Sequence, residues 1–155
     1  MIVYRIAKKK WIEDLSGNGS KLSGGRWNPK GYPLLYCAST SSLAILEKLV
    51  NTDFDLLPDD LFIAEIEVSE SSIKSLGISS LPSSLPKNWN DYPSPDSLKK
   101  IGQKWIDQNN HLILKVPSAV NPIESNYLIN IRHKFIAKIK IVDCYPILID
   151  DRLKK

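Results

Sequence analysis

Two cysteines and two histidines are all that the 155 residues offer as thiolate or imidazole metal ligands. Cys37 and Cys144 each stand in an apolar, strand-like segment and outside any C-x-x-C spacing, which points to reduced core thiols in a reducing compartment. His111 and His133 are far apart and belong to no H-E-x-x-H or Cys/His pattern, so no metal centre is expected. Long hydrophobic runs are missing too. The opening MIVYRIAKKK carries its apolar residues before its lysines, the reverse of a signal peptide, and nothing after it matches a bilayer span. A cytoplasmic chain without membrane contact is expected. A strong charge of one sign is also absent: 21 Lys and Arg against 17 Asp and Glu leave +4. That mild field favours phosphate-bearing ligands but lacks the clustered basic stripe of a nucleic-acid surface, so direct nucleic-acid binding is not expected.

What is present suits one globular domain over residues 1–155, since 43% hydrophobic content suffices for one buried core. IVYRIA (2–7) and PLLYCA (33–38) read as strands around a loop that holds five of the seven glycines. STSSLAILEKLVN (39–51) turns to helical spacing, with Ser41 or Ser42 as N-cap and Leu43, Leu46 and Val50 on one face. LFIAEIEV (61–68) alternates as a strand whose wetter face carries Ile63, Glu65 and Glu67. From Gly77 to Pro95, prolines at 82, 86, 93 and 95 exclude regular structure over most of the length, and so long a connection suits a lid. DSLKKIGQKWIDQNN (96–110) reads as a helix capped by Asp96 that buries Leu98, Ile101, Trp105 and Ile106; HLILKVPSAV and KFIAKIKIVDCYPILID supply two or three more strands. Strands and helices mix without a βαβ repeat, which predicts an α+β domain with a mixed central β-sheet and flanking helices.

The glycine loop invites a phosphate-binding reading. Gly19 to Gly24 matches the first six positions of a P-loop, but Gly25 and Arg26 follow where Lys and Ser/Thr are required. Gly17 and Gly19 begin a dinucleotide fingerprint, but Leu22 replaces its third glycine. What remains is physical: Gly24 and Gly25 let the backbone approach a ligand, and Arg26 offers a planar fork of donors to phosphate oxygens. The alternative is a tight turn with Arg26 as a surface ion-pair partner. Glu47, four residues after Leu43, shares the apolar face of its helix, so its carboxylate either meets a cation, lines a wet pocket or tilts out at the edge of the stripe. Ser118 at the end of VPSAV is either a local backbone cap or a functional hydroxyl. The four tryptophans read as packing residues, with Trp27, next to Arg26, the best placed to stack on a ligand.

VYRIAKKKWIEDLSGNGSKLSGGRWNPKGYPLLYCASTSSLAILEKLV, then LKVPSAV, then ESNYLINIRHKF closely resemble the bacterial RES domain, named for its characteristic arginine, glutamate and serine. The resemblance runs over nearly the whole chain, with several blocks in order and spacing. It implies an ADP-ribosyltransferase-like fold and a toxin paired with an antitoxin that carries an Xre-like helix-turn-helix domain. It implies consumption of NAD+ by hydrolysis or phosphorolysis of the nicotinamide–ribosyl bond or, in one branch, transfer of ADP-ribose to a protein. By position the family arginine falls on Arg26, its tyrosine on Tyr36, its glutamate on Glu47 and its serine on Ser118, with Asn126 in the block after that serine. One departure is visible: the family often reads Asn-Pro-x-His-Pro where this chain has Asn130-Ile131-Arg132-His133-Lys134.

On that resemblance the catalytic set is Arg26, Tyr36, Glu47 and Ser118, and Gly24, Gly25, Arg26, Trp27, Tyr36 and Asn126 bind substrate. NAD+ is the substrate and no separate cofactor is needed. Glu47 stabilises the ribosyl cation or orients the attacking water or phosphate, Arg26 holds the pyrophosphate, Tyr36 meets the nicotinamide–ribose end, and Ser118 positions a ribose hydroxyl or the carboxamide. The expected partners are the antitoxin protein and a second copy in a homodimer. A non-catalytic nucleotide-binding module is the competing class.

Overall fold

The computed structural model describes residues 1–53, 56–68, 78–80 and 85–153. In chain order the elements are β1 (Ile2–Lys8), α1 (Asn18–Ser23), β2 (Leu35–Ala38), α2 (Ser41–Val50), β3 (Leu61–Val68), β4 (Ile78–Ser80), α3 (Asp96–Gln108), β5 (Ile113–Pro117), β6 (Ser125–Ile129) and β7 (Ile139–Pro146). The strands form one seven-stranded sheet in the order β4-β5-β6-β2-β1-β3-β7. Every neighbouring pair is antiparallel except β4 and β5, which run parallel, so the sheet is mixed as the element pattern predicts.

Register decides which side chains share a face. Ala38 pairs with Asn126 and Tyr36 with Leu128, while across the next ladder Asn126 pairs with Val116. Period-two alternation therefore puts Tyr36, Ala38, Asn126, Leu128, Leu114 and Val116 on one side, the front. Leu35, Cys37 and Ile129 point to the back, where they join Val3, Ala64 and Ile66 in the largest buried cluster. Two helices cover the front. α3 packs Leu98, Trp105 and Ile106 over Leu114, Val116 and Leu128; α2 packs Leu43 and Ala44 over Ala38 and Ile63. Between those two helices the front face carries Tyr36 and Asn126.

Several local expectations change. Thr40, not Ser41 or Ser42, caps α2: its hydroxyl oxygen accepts from the Leu43 N–H at 3.1 Å, while Ser41 is already helical. The buried side of α2 carries Leu43 and Ala44, whereas Leu46 and Val50 are exposed. Because residues 43, 44 and 47 span one arc of the helix, Glu47 lies within the sheet-facing side itself rather than at its edge. Asp96 is the first residue of α3 and pairs with Lys99 at 2.9 Å; no side chain caps that helix. Ile63 is buried under α2, so only Glu65 and Glu67 keep the wetter character expected of that side of β3. β2 starts two residues late, after Pro33, which has no N–H to give a ladder. β4 falls inside the connection from Gly77 to Pro95; residues 77 and 81–84 of that expected lid lie outside the described residues.

Candidate active site

Glu47 is half-buried, and two side chains from the far end of the chain converge on one of its oxygens. The Ser118 hydroxyl and the Asn126 Nδ2 both donate to Glu47 Oε1, each at 2.7 Å. Asn126 reaches it from β6. Ser118 reaches it from just beyond β5: that strand places Val116 on the front face, and two residues on Ser118 keeps that side and is wholly buried. Both readings of Ser118 hold together, because its oxygen also accepts from the Val120 and Asn121 N–H groups at 3.1 and 3.0 Å. Those two backbone donors fill its acceptor side and leave its proton for the carboxylate. Among the described residues the carboxylate on the apolar side of α2 thus meets neutral donors rather than a cation. Among the described residues Oε2 takes no hydrogen bond.

Arg26 and Tyr36 belong to a second group built on the glycine loop. Gly24 ends α1 with φ +71°, a left-handed value that favours glycine, and its N–H returns to the Ser20 carbonyl at 2.8 Å. A Cβ at Gly25 would stand 2.6 Å from the Tyr36 hydroxyl and 3.0 Å from Asn28 Oδ1. The glycine pair is thus explained by the loop closing on itself over Tyr36 and Asn28; a close approach to ligand is not needed to account for it. The wholly buried Asn28 donates to the carbonyls of Ser20 and Tyr32 at 2.9 and 2.7 Å and accepts from the Tyr36 hydroxyl at 2.6 Å. That hydroxyl also accepts the Trp27 N–H at 3.1 Å. Burial holds the Tyr36 phenol far above its ordinary range, so it stays a neutral donor.

Among the described residues Arg26 makes no ion pair. Its Nη1 donates to the main-chain carbonyls of Trp89 and Asp91 at 2.8 and 3.1 Å, which uses both protons of that nitrogen. The Nε–Nη2 edge has no partner among the described residues. Trp27 corrects an expectation: its indole is 2% exposed and packs with Leu98 and Trp105, so it is not a stacking platform. Its carbonyl lies against α3 so closely that a Cβ on Gly102 would come within 1.7 Å of the oxygen.

Tyr36 and Asn126 occupy diagonal positions of the β2–β6 ladder, roughly 7–8 Å apart on the front face. Register therefore joins the Glu47–Ser118–Asn126 cluster to the arginine loop. His133 stands apart: it follows the opposite end of β6 from Asn126, is buried, and accepts the Phe135 N–H at Nδ1 at 3.3 Å. Burial and the nearby Lys134 lower its proton affinity, and it serves as a turn residue. Among the described residues no three His, Cys, Asp or Glu side chains converge to hold a metal ion, and no helix is long and apolar enough to cross a membrane.

Sequence reasoning missed one neighbour of the site. β1 and β2 pair only at Tyr4 and Ala38 and then separate, and the gap holds a cavity of about 160 Å³ lined by Arg5, Asp14, Ser20 and Tyr36 among others. Arg5 is held by the Trp11 and Ile12 carbonyls at 3.1 and 2.7 Å, and burial lowers its pKa. A cation inside the apolar alternation of IVYRIA was the available signal.

The RES domain model matches residues 2–150. The chain belongs to the RES family. It is 38% identical over 160 residues to "Toxin Res" of Photorhabdus laumondii subsp. laumondii, covering 100% of this chain and 98% of that one. It is 36% identical to "Toxin Res" of Yersinia enterocolitica over 99% of this chain and 100% of the relative. A protein named "Prs ADP-ribosylating toxin", from Sphingobium sp., is 36% identical over 91% of this chain and 87% of its own. In fold the domain resembles a chain in the crystal structure of the M. tuberculosis MbcT-MbcA toxin–antitoxin complex, with a TM-score of 0.75 at 16% identity over 94% of this chain and 83% of that chain.

Proposed function

We propose that this RES domain is the toxin of a toxin–antitoxin pair and consumes NAD+ by breaking the bond between nicotinamide and ribose. The observation that carries the reading is the Glu47 carboxylate, held through one oxygen by Ser118 and Asn126 with the other oxygen uncommitted among the described residues. As the glycosidic bond breaks, its electron pair leaves with neutral nicotinamide and C1′ of the ribose gains oxocarbenium character. A fixed anion beside that carbon stabilises the developing charge. Water or phosphate then attacks C1′ through oxygen, and a proton lost by water gives ADP-ribose. Ser118 and Asn126 keep the carboxylate in one orientation, which spares reorganisation during the reaction.

Arg26 binds the pyrophosphate through its Nε–Nη2 edge, the fork suited to two phosphate oxygens, while Nη1 stays anchored on Trp89 and Asp91. Tyr36, a neutral hydroxyl on the same face as Asn126, contacts the nicotinamide–ribose end. The glycine loop supports these two residues by its shape. The partner is an antitoxin with an Xre-like DNA-binding domain, and a second copy of the chain completes a homodimer. The relative named for ADP-ribosylation favours a second reading, in which a protein side chain accepts the ADP-ribose.

Incubating the purified protein with NAD+, with and without phosphate, and identifying products tests both. Free nicotinamide with ADP-ribose, or with its 1″-phosphate when phosphate is present, supports the first reading; label from NAD+ on protein supports the second; NAD+ left intact in all conditions overturns the proposal.

A further inference from the structure

Glu47 and Ser118 come from segments that no sheet ladder joins directly, yet their contact is 2.7 Å. The residue that bridges those segments is Glu124. Its Oε1 accepts the Thr40 hydroxyl at 2.8 Å, and its Oε2 accepts the Asn121 Nδ2 at 2.9 Å. Its main chain closes the same turn: its carbonyl accepts the Ser118 N–H at 3.1 Å and its N–H donates to the Asn121 carbonyl at 2.9 Å. Thr40 is in turn the N-cap of α2, the helix that carries Glu47. Each carboxylate oxygen thus holds one of the two bodies that must meet, the start of α2 on one side and the turn from Ser118 to Asn121 on the other.

We infer that Glu124 is a positioning residue: clasped between Thr40 and Asn121, it sets the distance between the Glu47 carboxylate and the Ser118 hydroxyl without touching substrate itself. Thr40 is exposed and Glu124 half-buried, so the bond between them contributes little to stability. A structural role would show in melting; a positioning role shows in turnover, because a displacement of about 1 Å in a catalytic group costs up to about a hundred-fold. The inference rests on the NAD+ reading for its kinetic arm only.

The test uses the full chain. Glu124→Ala is expected to lower NAD+ turnover about ten- to a hundred-fold with KM nearly unchanged. Thr40→Asp keeps the cap acceptor but removes the donated proton and sets a carboxylate against Glu124, and it should behave the same way; Thr40→Ser should restore turnover to within about two-fold of the native protein. Adding Glu124→Ala to Ser118→Ala should cost almost nothing more, since the clasp acts through that hydroxyl. Independently of NAD+, amide exchange at Val120 and Asn121 should quicken about ten-fold in Glu124→Ala, because these N–H groups donate to Ser118 Oγ. Unchanged exchange at both amides, or turnover losses that multiply in the double variant, overturn the clasp; a native protein that leaves NAD+ intact overturns the proposed function and leaves the exchange result to judge the clasp.

Discussion

The Ser118 hydroxyl, with no exposed surface, donates to Glu47 Oε1 at 2.7 Å across 71 positions of sequence. Its oxygen also receives two backbone N–H groups. Removing it strands those two donors as well as part of the carboxylate's support. Ser118→Ala should therefore lower stability by about 1–3 kcal/mol, the cost of buried donors left unpaired, and reduce turnover in the molecules that remain folded. Urea unfolding and NAD+ consumption measured on one preparation check both effects.

The glycines should separate by what their missing Cβ would meet. Gly25→Ala drives a methyl to 2.6 Å from the Tyr36 hydroxyl and should destabilise by about 1–3 kcal/mol. Gly102→Ala meets the Trp27 carbonyl at 1.7 Å, so the helix must move or the protein fail to fold. Gly19→Ala finds nothing within 4 Å in α1 and should be neutral or gain up to about 1 kcal/mol. Melting temperatures that rise from Gly102→Ala through Gly25→Ala to Gly19→Ala are the expected result.

Arg26→Ala should weaken NAD+ binding about ten- to a hundred-fold, the loss expected of a charged hydrogen-bonding fork. It should also release the Trp89 and Asp91 carbonyls, so limited proteolysis within residues 85–95 should quicken even without NAD+. Intact affinity with quickened proteolysis would make Arg26 an anchor for that segment and nothing more.

Cys37 predicts an alkaline limit. Burial pushes its thiol from 9.0 up to about 12 in the folded protein. Between those values the unfolded chain has lost the proton that the folded chain keeps, so stability falls as pH rises above about 9 and the loss is complete only beyond about 12. Cys37→Ala should flatten that slope in melting temperature against pH, although it lowers the overall value by emptying a buried site.

The sequence made the site's members legible but not their arrangement. Alternation in LFIAEIEV and helical spacing in the stretch from 96 to 110 carry β3 and α3 directly, because both elements set a continuous side against the core. The family block includes Asn126, but the strand around it, SNYLI, shows no apolar alternation, because its front-face position before Leu128 is the polar Asn126, which belongs to the site. On α2 the helical spacing points to Leu43, Leu46 and Val50 as core, yet the sheet lies under Leu43, Ala44 and Glu47. Period alone cannot tell a helix that buries leucines from one that turns a carboxylate inward to meet donors 71 and 79 residues away. The local packing reason for Gly25 is not legible in its own stretch of sequence, since the Tyr36 hydroxyl and the Asn28 side chain that its missing Cβ would meet come later in the chain.

Glu47→Gln removes the charge of the site and little else, because the amide keeps an oxygen to accept from Ser118 and Asn126. Melting temperature, NAD+ affinity and NAD+ loss are measured on this variant beside the native protein. An electrostatic stabiliser of a transition state is worth about 3–4 kcal/mol, so turnover should fall roughly a hundred- to a thousand-fold, with affinity and melting temperature close to native. A variant that melts earlier yet consumes NAD+ at the native rate would show Glu47 to be a packing residue and contradict the account.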